Sequence, residues 1–202
     1  MVAKLVRSAA RDLEAVLFEA APRLIDRAVR LTPEASVQRW VSTQGVSPRF
    51  LRVLTSPYVV HPIISGVLSG ESDEELHRRA LKLERYRRRR YRSESTRVAR
   101  FRAVQRLIDS IGRDGFRPPA KTSANPDVIG VVVRDDGRLT WIRQGDHRLS
   151  LALALGLPSC IIRIRAFEPN FVMRALRDHP HDNVHGSVLA ALEGQGIRRF
   201  SG

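Results

Sequence analysis

The sequence predicts an α+β fold, a helical N-terminal part followed by a small α/β unit. Three observations point there. The first hundred residues carry apolar side chains at helical spacing, broken by prolines and glycines. Residues 128–133 form an apolar, β-branched run and residues 160–165 an isoleucine-rich stretch alternating with arginine, both of strand length. Between them, an alanine- and leucine-rich run leaves the junction Gly145-Asp146-His147-Arg148 with helical character. The break is expected near residue 95, giving a helical region over 1–95 and an α/β domain over 96–202.

At 202 residues with 43% apolar content, the chain is long enough to bury a core of its own. Its one cysteine, Cys160, excludes an internal disulfide and fits a reducing compartment. Lys4 and Arg7 are followed by Asp12 and Glu14 before any continuous apolar stretch, unlike a signal peptide. The greasiest region, 50–68, is interrupted by Arg52, Pro57, His61 and Pro62, so no membrane span is expected. The expected location is therefore the cytoplasm, with no membrane partner.

Val2, Leu5, Val6, Ala9, Leu13, Val16, Leu17, Ala20, Leu24 and Ala28 recur at helical spacing. They predict an amphipathic helix over 2–30, kinked or broken at Pro22. Residues 32–70 read as short helices and loops. Thr32-Pro33 suits a helix start bearing Val37 and Trp40, and Pro57, Pro62, Gly66 and Gly70 punctuate the rest of that stretch. Ser72 with Glu75 three residues later spells a capping box, predicting a helix to about Tyr91. A second helix over 98–111 comes next, ended by Gly112 and Gly115.

The net charge of +14 is concentrated here: residues 78–106 hold thirteen basic side chains against Glu84 and Glu94. Tyr86 and Tyr91 bracket Arg87, Arg88, Arg89 and Arg90. Clustered cations with interleaved aromatics make a nucleic-acid footprint, and equally a solvated helix face. No zinc-finger spacing or heptad accompanies them, so a DNA or RNA partner would be met through phosphates and not through bases.

Asp135-Asp136-Gly137 marks a turn joining the strand over 128–133 to a partner over 138–142. The third strand, 160–165, alternates Cys160, Ile162 and Ile164 with Arg163 and Arg165. A buried, inert Cys160 is expected. Short helices are expected around 172–176 and 188–192. His179, His181 and His185 form a histidine-rich stretch without regular ligand spacing, so a solvated loop is expected and no metal site.

The junction at Gly145 carries the most chemistry. A strand–glycine–helix turn exposes the helix's first N–H groups, where partial positive charge attracts an anion. His147 and Arg148 add donors suited to phosphate oxygens. Asp146 at the same mouth is suited to a local cap, or to a general base or an Mg2+-orienting carboxylate.

Residues 104–166 resemble the ParB/sulfiredoxin-like superfamily. The likeness starts at Leu107-Ile108-Asp109-Ser110-Ile111, continues through Gly115-Phe116 and Pro119 to the strand pair, then Gly145-Asp146-His147-Arg148, Gly156 and the last strand. It implies a nucleotide site, ATP or CTP with Mg2+, whose phosphates meet Gly145, His147 and Arg148, with Ser110 and Gly115 on the rim. It also implies an NTPase or small-molecule kinase; the candidate catalytic residue, Asp146, comes from its place at the helix mouth and not from the resemblance. The sulfiredoxin cysteine would fall at Asp146, which excludes sulfinic-acid reduction. The alternative is a nucleic-acid-binding accessory protein using the basic helix.

Overall fold

The computed structural model describes residues 2–13, 15–28, 55–57, 60–83, 93–116, 128–142 and 145–201. These form two compact units. One comprises residues 1–59, 118–145 and 157–202, and the other residues 60–117 and 146–156. The mixed α+β class is as the sequence predicts. The chain nevertheless divides differently from the break expected near residue 95, because N-terminal strands join the same sheet as C-terminal ones.

Among the described residues, the first unit is a seven-stranded mixed sheet with three helices. Its strands are β1 (Phe18–Ala20), β2 (Ile25–Ala28), β3 (Thr55–Pro57), β4 (Ile129–Val133), β5 (Leu139–Trp141), β6 (Cys160–Phe167) and β7 (Arg198–Arg199). They lie in the order β3-β2-β5-β4-β6-β1-β7. The pairs β2–β5 and β4–β6 are parallel, and the remaining pairs antiparallel. Ile129 to Val133 are all buried. That explains their unbroken apolar run: a central strand covered on both faces has no polar positions to alternate with. The short edge strand β7 is made of two exposed arginines, side chains that discourage further strand pairing.

The helix expected over 2–30 is the main departure. Helix α1 covers Val2–Leu13 only, burying Val6, Ala9, Ala10 and Leu13 on one stripe that packs against β6. Beyond it the chain becomes β1, with Phe18 and Ala20 buried on either side of Glu19. Ala21, before Pro22, is extended, and Pro22–Leu24 form one 3-10 turn leading into β2. Strand β1 fills a place between β6 and β7, and that long-range pairing outweighs the helical spacing of Leu17, Ala20, Leu24 and Ala28.

Local chemistry decides the structure elsewhere in this unit. The β4–β5 hairpin turns at Asp135 and Asp136. Asp136 accepts from the Arg138 N–H at 3.0 Å, and Asp135 accepts from the Asn170 amide at 2.8 Å. Both aspartates are turn residues, held in the way short acidic side chains hold turns. Arg138 forks onto the buried Asp26 of β2 with two bonds of 2.8 Å, a charged pair that keeps a buried carboxylate satisfied. Cys160, Ile162 and Ile164 are buried, whereas Arg163 and Arg165 are partly exposed. Burial pushes the Cys160 thiol up to about 12, so it holds almost no thiolate near neutrality. Two further helices, α6 (Pro169–Asp178) and α7 (Val184–Gly194), sit where the tail suggested and pack on each other and on α1.

The second unit is helical: α2 (Pro62–Leu68), α3 (Asp73–Leu81), α4 (Glu94–Asp114) and α5 (Asp146–Ala154). Pro62 does not break structure; it occupies the first turn of α2, where its missing N–H is no loss. Gly66 lies inside α2 because a Cβ there would meet the Glu71 carboxylate at 2.6 Å and Leu76 at 2.7 Å. The capping box at Ser72 and Glu75 forms in full, but α3 stops at Leu81, short of Tyr91. Helix α4 starts earlier than expected, capped by Ser93 on the Thr96 N–H, and passes through Gly112 to end at Gly115, whose φ is +72°. Ile63, Leu76, Ala80 and Phe101 form the core of this unit.

Gly145 links the two units along the chain. Its φ is +73°, and a Cβ would lie 2.6 Å from the Ile129 Cα. Backbone conformation and backbone contact both demand glycine. Gly145→Ala is expected to lower stability by about 2–4 kcal/mol. Gly156→Ala, at φ +62° with open space around it, is expected to cost about 1 kcal/mol. Urea denaturation of the two variants checks the contrast, and equal costs would contradict it.

Candidate functional site

The sequence marks the start of α5, and the structure brings a second segment to it. Asp146 and Ser150, spaced i and i+4, share one face of α5, with His147 beside them in the first turn. Ser150 is completely buried, and its Oγ accepts the backbone N–H of His61 at 3.0 Å. His61 in turn is the N-cap of α2: its Nδ1 accepts the Ile63 N–H at 3.2 Å. An imidazole fills the role more often taken by Ser, Thr, Asp or Asn. One hydrogen bond thus ties the residue before Pro62 to α5, and a second makes it the cap of α2.

The geometry then gathers three chemistry-bearing side chains. The rings of His61 and His147 stand 5.2 Å apart and tilted by 50°. His61 Nε2 is 4.0 Å from Asp146 Oδ2. One ligand-type atom from each of His61, Asp146 and His147 lies within 4.8 Å of the others, the two histidines buried and the aspartate half-buried. From α4, the Arg100 guanidinium lies 2.7 Å from His147 Nδ1.

Donor and acceptor chemistry fixes the proton positions. A guanidinium only donates, so His147 Nδ1 must accept, and its ring proton resides on Nε2. The Ile63 N–H likewise only donates, which places the His61 proton on Nε2. In this arrangement each imidazole offers one ring nitrogen as an acceptor, and the Asp146 carboxylate lies beside them.

The remaining predicted residues fall in different places. The Arg148 guanidinium lies over the Phe116 ring, 5.5 Å from the centroid, a cation–π contact at the far end of α4. Gly115 ends α4 immediately before Phe116. Ser110 is half-buried, ten residues and about 15 Å of helix rise beyond Arg100. Gly145 immediately precedes α5. Arg87, Arg88, Arg89 and Arg90 lie outside the described residues, as do Tyr86 and Tyr91. His179 ends α6, His181 is exposed, and His185 lies in α7; among the described residues they do not gather into a ligand group.

Sequence reasoning missed His61, Ser150 and Arg100. His61 had one usable signal, its place before Pro62 at a helix start, which a cap prediction would have flagged. Nothing local pairs position 61 with position 150. The chain matches no protein-family model, and neither the curated proteins nor the solved structures contain a significant match.

Ser150→Ala removes the acceptor of a buried backbone N–H. It is expected to destabilise the protein by about 1–3 kcal/mol, whereas Ser150→Thr, which keeps the hydroxyl, should recover part of that. Chemical denaturation of both variants gives the comparison; equal losses would show that volume and not the hydrogen bond matters.

Proposed function

We propose that the start of α5 is a phosphate-binding site for a nucleoside triphosphate, ATP or CTP, taken up with Mg2+. One observation carries the reading: Arg100 from α4 reaches His147 in the first turn of α5. A guanidinium, an imidazole N–H and a helix N-terminus then stand together, each a donor group suited to phosphate oxygens. Arg148, the next residue, adds a second guanidinium stacked on Phe116. Asp146, 15% exposed at its side chain, supplies the carboxylate that orients a nucleophile or the water shell of Mg2+. The resemblance of residues 104–166 to the ParB/sulfiredoxin-like superfamily supports the same reading. An NTPase or a small-molecule kinase is the reaction class that fits, since phosphoryl transfer relies on charge stabilisation and positioning.

ATP or CTP with Mg2+ is expected to raise the melting temperature. Saturation at a hundred times Kd corresponds to about 2.7 kcal/mol. Arg148→Ala should abolish the shift. A panel of nucleotides that leaves the melting temperature unmoved would refute the reading, and released or transferred phosphate in the product mixture would separate turnover from binding.

A second reading rests on a separate feature of α4. Arg102, Arg106 and Arg113 are exposed on it, as is Arg78 on α3, and the arginines at 87–90 continue the basic run in sequence. Phosphate contacts there would make nucleic-acid binding fall steeply with salt. Replacing Arg87–Arg90 by Gln should flatten the slope by about one unit for each phosphate no longer neutralised. Affinity indifferent to salt and to the substitution would remove this reading.

A further inference from the structure

We infer that His61, Asp146 and His147 form a binding site for a divalent transition metal, and that Arg100 competes with the metal for His147. Two imidazoles and one carboxylate are the donor set of catalytic zinc sites and of the facial triads that hold iron. The set suits Zn2+, Ni2+, Co2+ or Fe2+. Mg2+ and Ca2+ prefer oxygen donors and are poorly matched. The three side chains are within 4.8 Å at their ligand atoms. Donors around a tetrahedral zinc stand about 3.3 Å apart, so side-chain rotations of about an ångström close the set.

The scaffold is rigid where it needs to be. Asp146 and His147 are adjacent in the first turn of one helix. His61 is tied to that same helix through Ser150. All three ligands belong to one compact unit. A third protein ligand is in place without any contribution from elsewhere, leaving the remaining coordination positions to water or an anion.

The proton positions make the metal and Arg100 rivals. If the metal takes His147 Nδ1, it occupies the place of the Arg100 guanidinium, 2.7 Å away. If it takes Nε2, the ring proton must move to Nδ1 and face the same guanidinium, donor against donor. Arg100 leaves in either case, and its charge would also oppose a bound cation. The same logic applies to His61, whose ligation through Nδ1 gives up its bond to the Ile63 N–H. Metal and apo forms therefore differ in a defined way: Arg100 is on His147 in one and released in the other. The metal site does not depend on the nucleotide reading; were both correct, the metal would free a guanidinium for a phosphate.

The test uses the full chain, stripped with a chelator and titrated with Zn2+ against a chromophoric competitor, with Co2+ absorption reporting the ligand geometry. Wild type should bind one equivalent, undisturbed by excess Mg2+ and in the absence of nucleotide. Arg100→Gln should bind at least about tenfold more tightly. His61→Asn keeps a side-chain acceptor for the Ile63 N–H and so preserves α2, yet should lose at least about tenfold in affinity, as should Asp146→Asn. Substituting His179 and His181 together should change nothing. Circular dichroism and melting curves establish that each variant is folded. No bound equivalent in wild type and in Arg100→Gln, or binding that survives both His61→Asn and Asp146→Asn, overturns the metal site. Unchanged affinity in Arg100→Gln overturns the competition.

Discussion

Between Gly145 and Ile129 there is room for a hydrogen and no more. The Ile129 backbone occupies the space a Cβ would need, 2.6 Å from its ideal position, while the glycine's φ is held at +73°. This close approach fixes the backbone at the point where the chain leaves the sheet. Everything chemical in the second unit is counted from that point: Asp146 and His147 in the first turn, Ser150 one turn on. A larger residue would have to move the backbone of the central strand or that of residue 145 itself.

From α5 the order is passed on through single polar contacts. Ser150 holds the His61 backbone, His61 caps α2, and α2 contributes Ile63 to the small core with Leu76, Ala80 and Phe101. The His61 ring thereby serves two ends. Its Nδ1 stabilises a helix start, and its Nε2 faces the Asp146 carboxylate. Arg100, on the same helix as Phe101, brings positive charge to His147. The cluster balances opposing demands: two imidazoles, a carboxylate and a guanidinium, assembled where the side chains are largely shielded from water. Such an assembly is costly unless its members satisfy one another, and here His61 accepts from the backbone while His147 and Arg100 meet each other.

Much of this was legible where the deciding physics is local. The capping box at Ser72 and Glu75, the Asp135-Asp136-Gly137 turn, the buried run of β4 and the start of α5 at Gly145 all depend on residues a few positions apart. The alternation in β6 announced a buried Cys160. The errors share a different cause. Residues 17–28 have helical spacing, but Phe18 and Ala20 are wanted by a sheet whose other strands come largely from beyond residue 128. Pro62 looked like a breaker because its effect depends on whether it stands in the first turn of a helix or inside one. The end of α3 at Leu81 likewise lies within a stretch whose composition favours helix throughout.

The sequence by itself determined the α+β class, the hairpin, the helix starts and the identity of Asp146, His147 and Arg148 as side chains at a helix mouth. Those rest on backbone chemistry that neighbouring residues control. Only the tertiary structure decided that His61 and Arg100 come to His147, while Arg148 turns to Phe116. It also decided that Ser110 lies well along α4 from Arg100. The Arg100–His147 contact joins positions 47 residues apart, and the Ser150 bond that holds His61 joins positions 89 apart. They are set by how helices pack and which buried polar groups can satisfy each other, and no local pattern carries that information. The glycine junction began as a generic anion-binding turn; in the folded chain the helix that follows it carries two members of a two-histidine, one-carboxylate cluster.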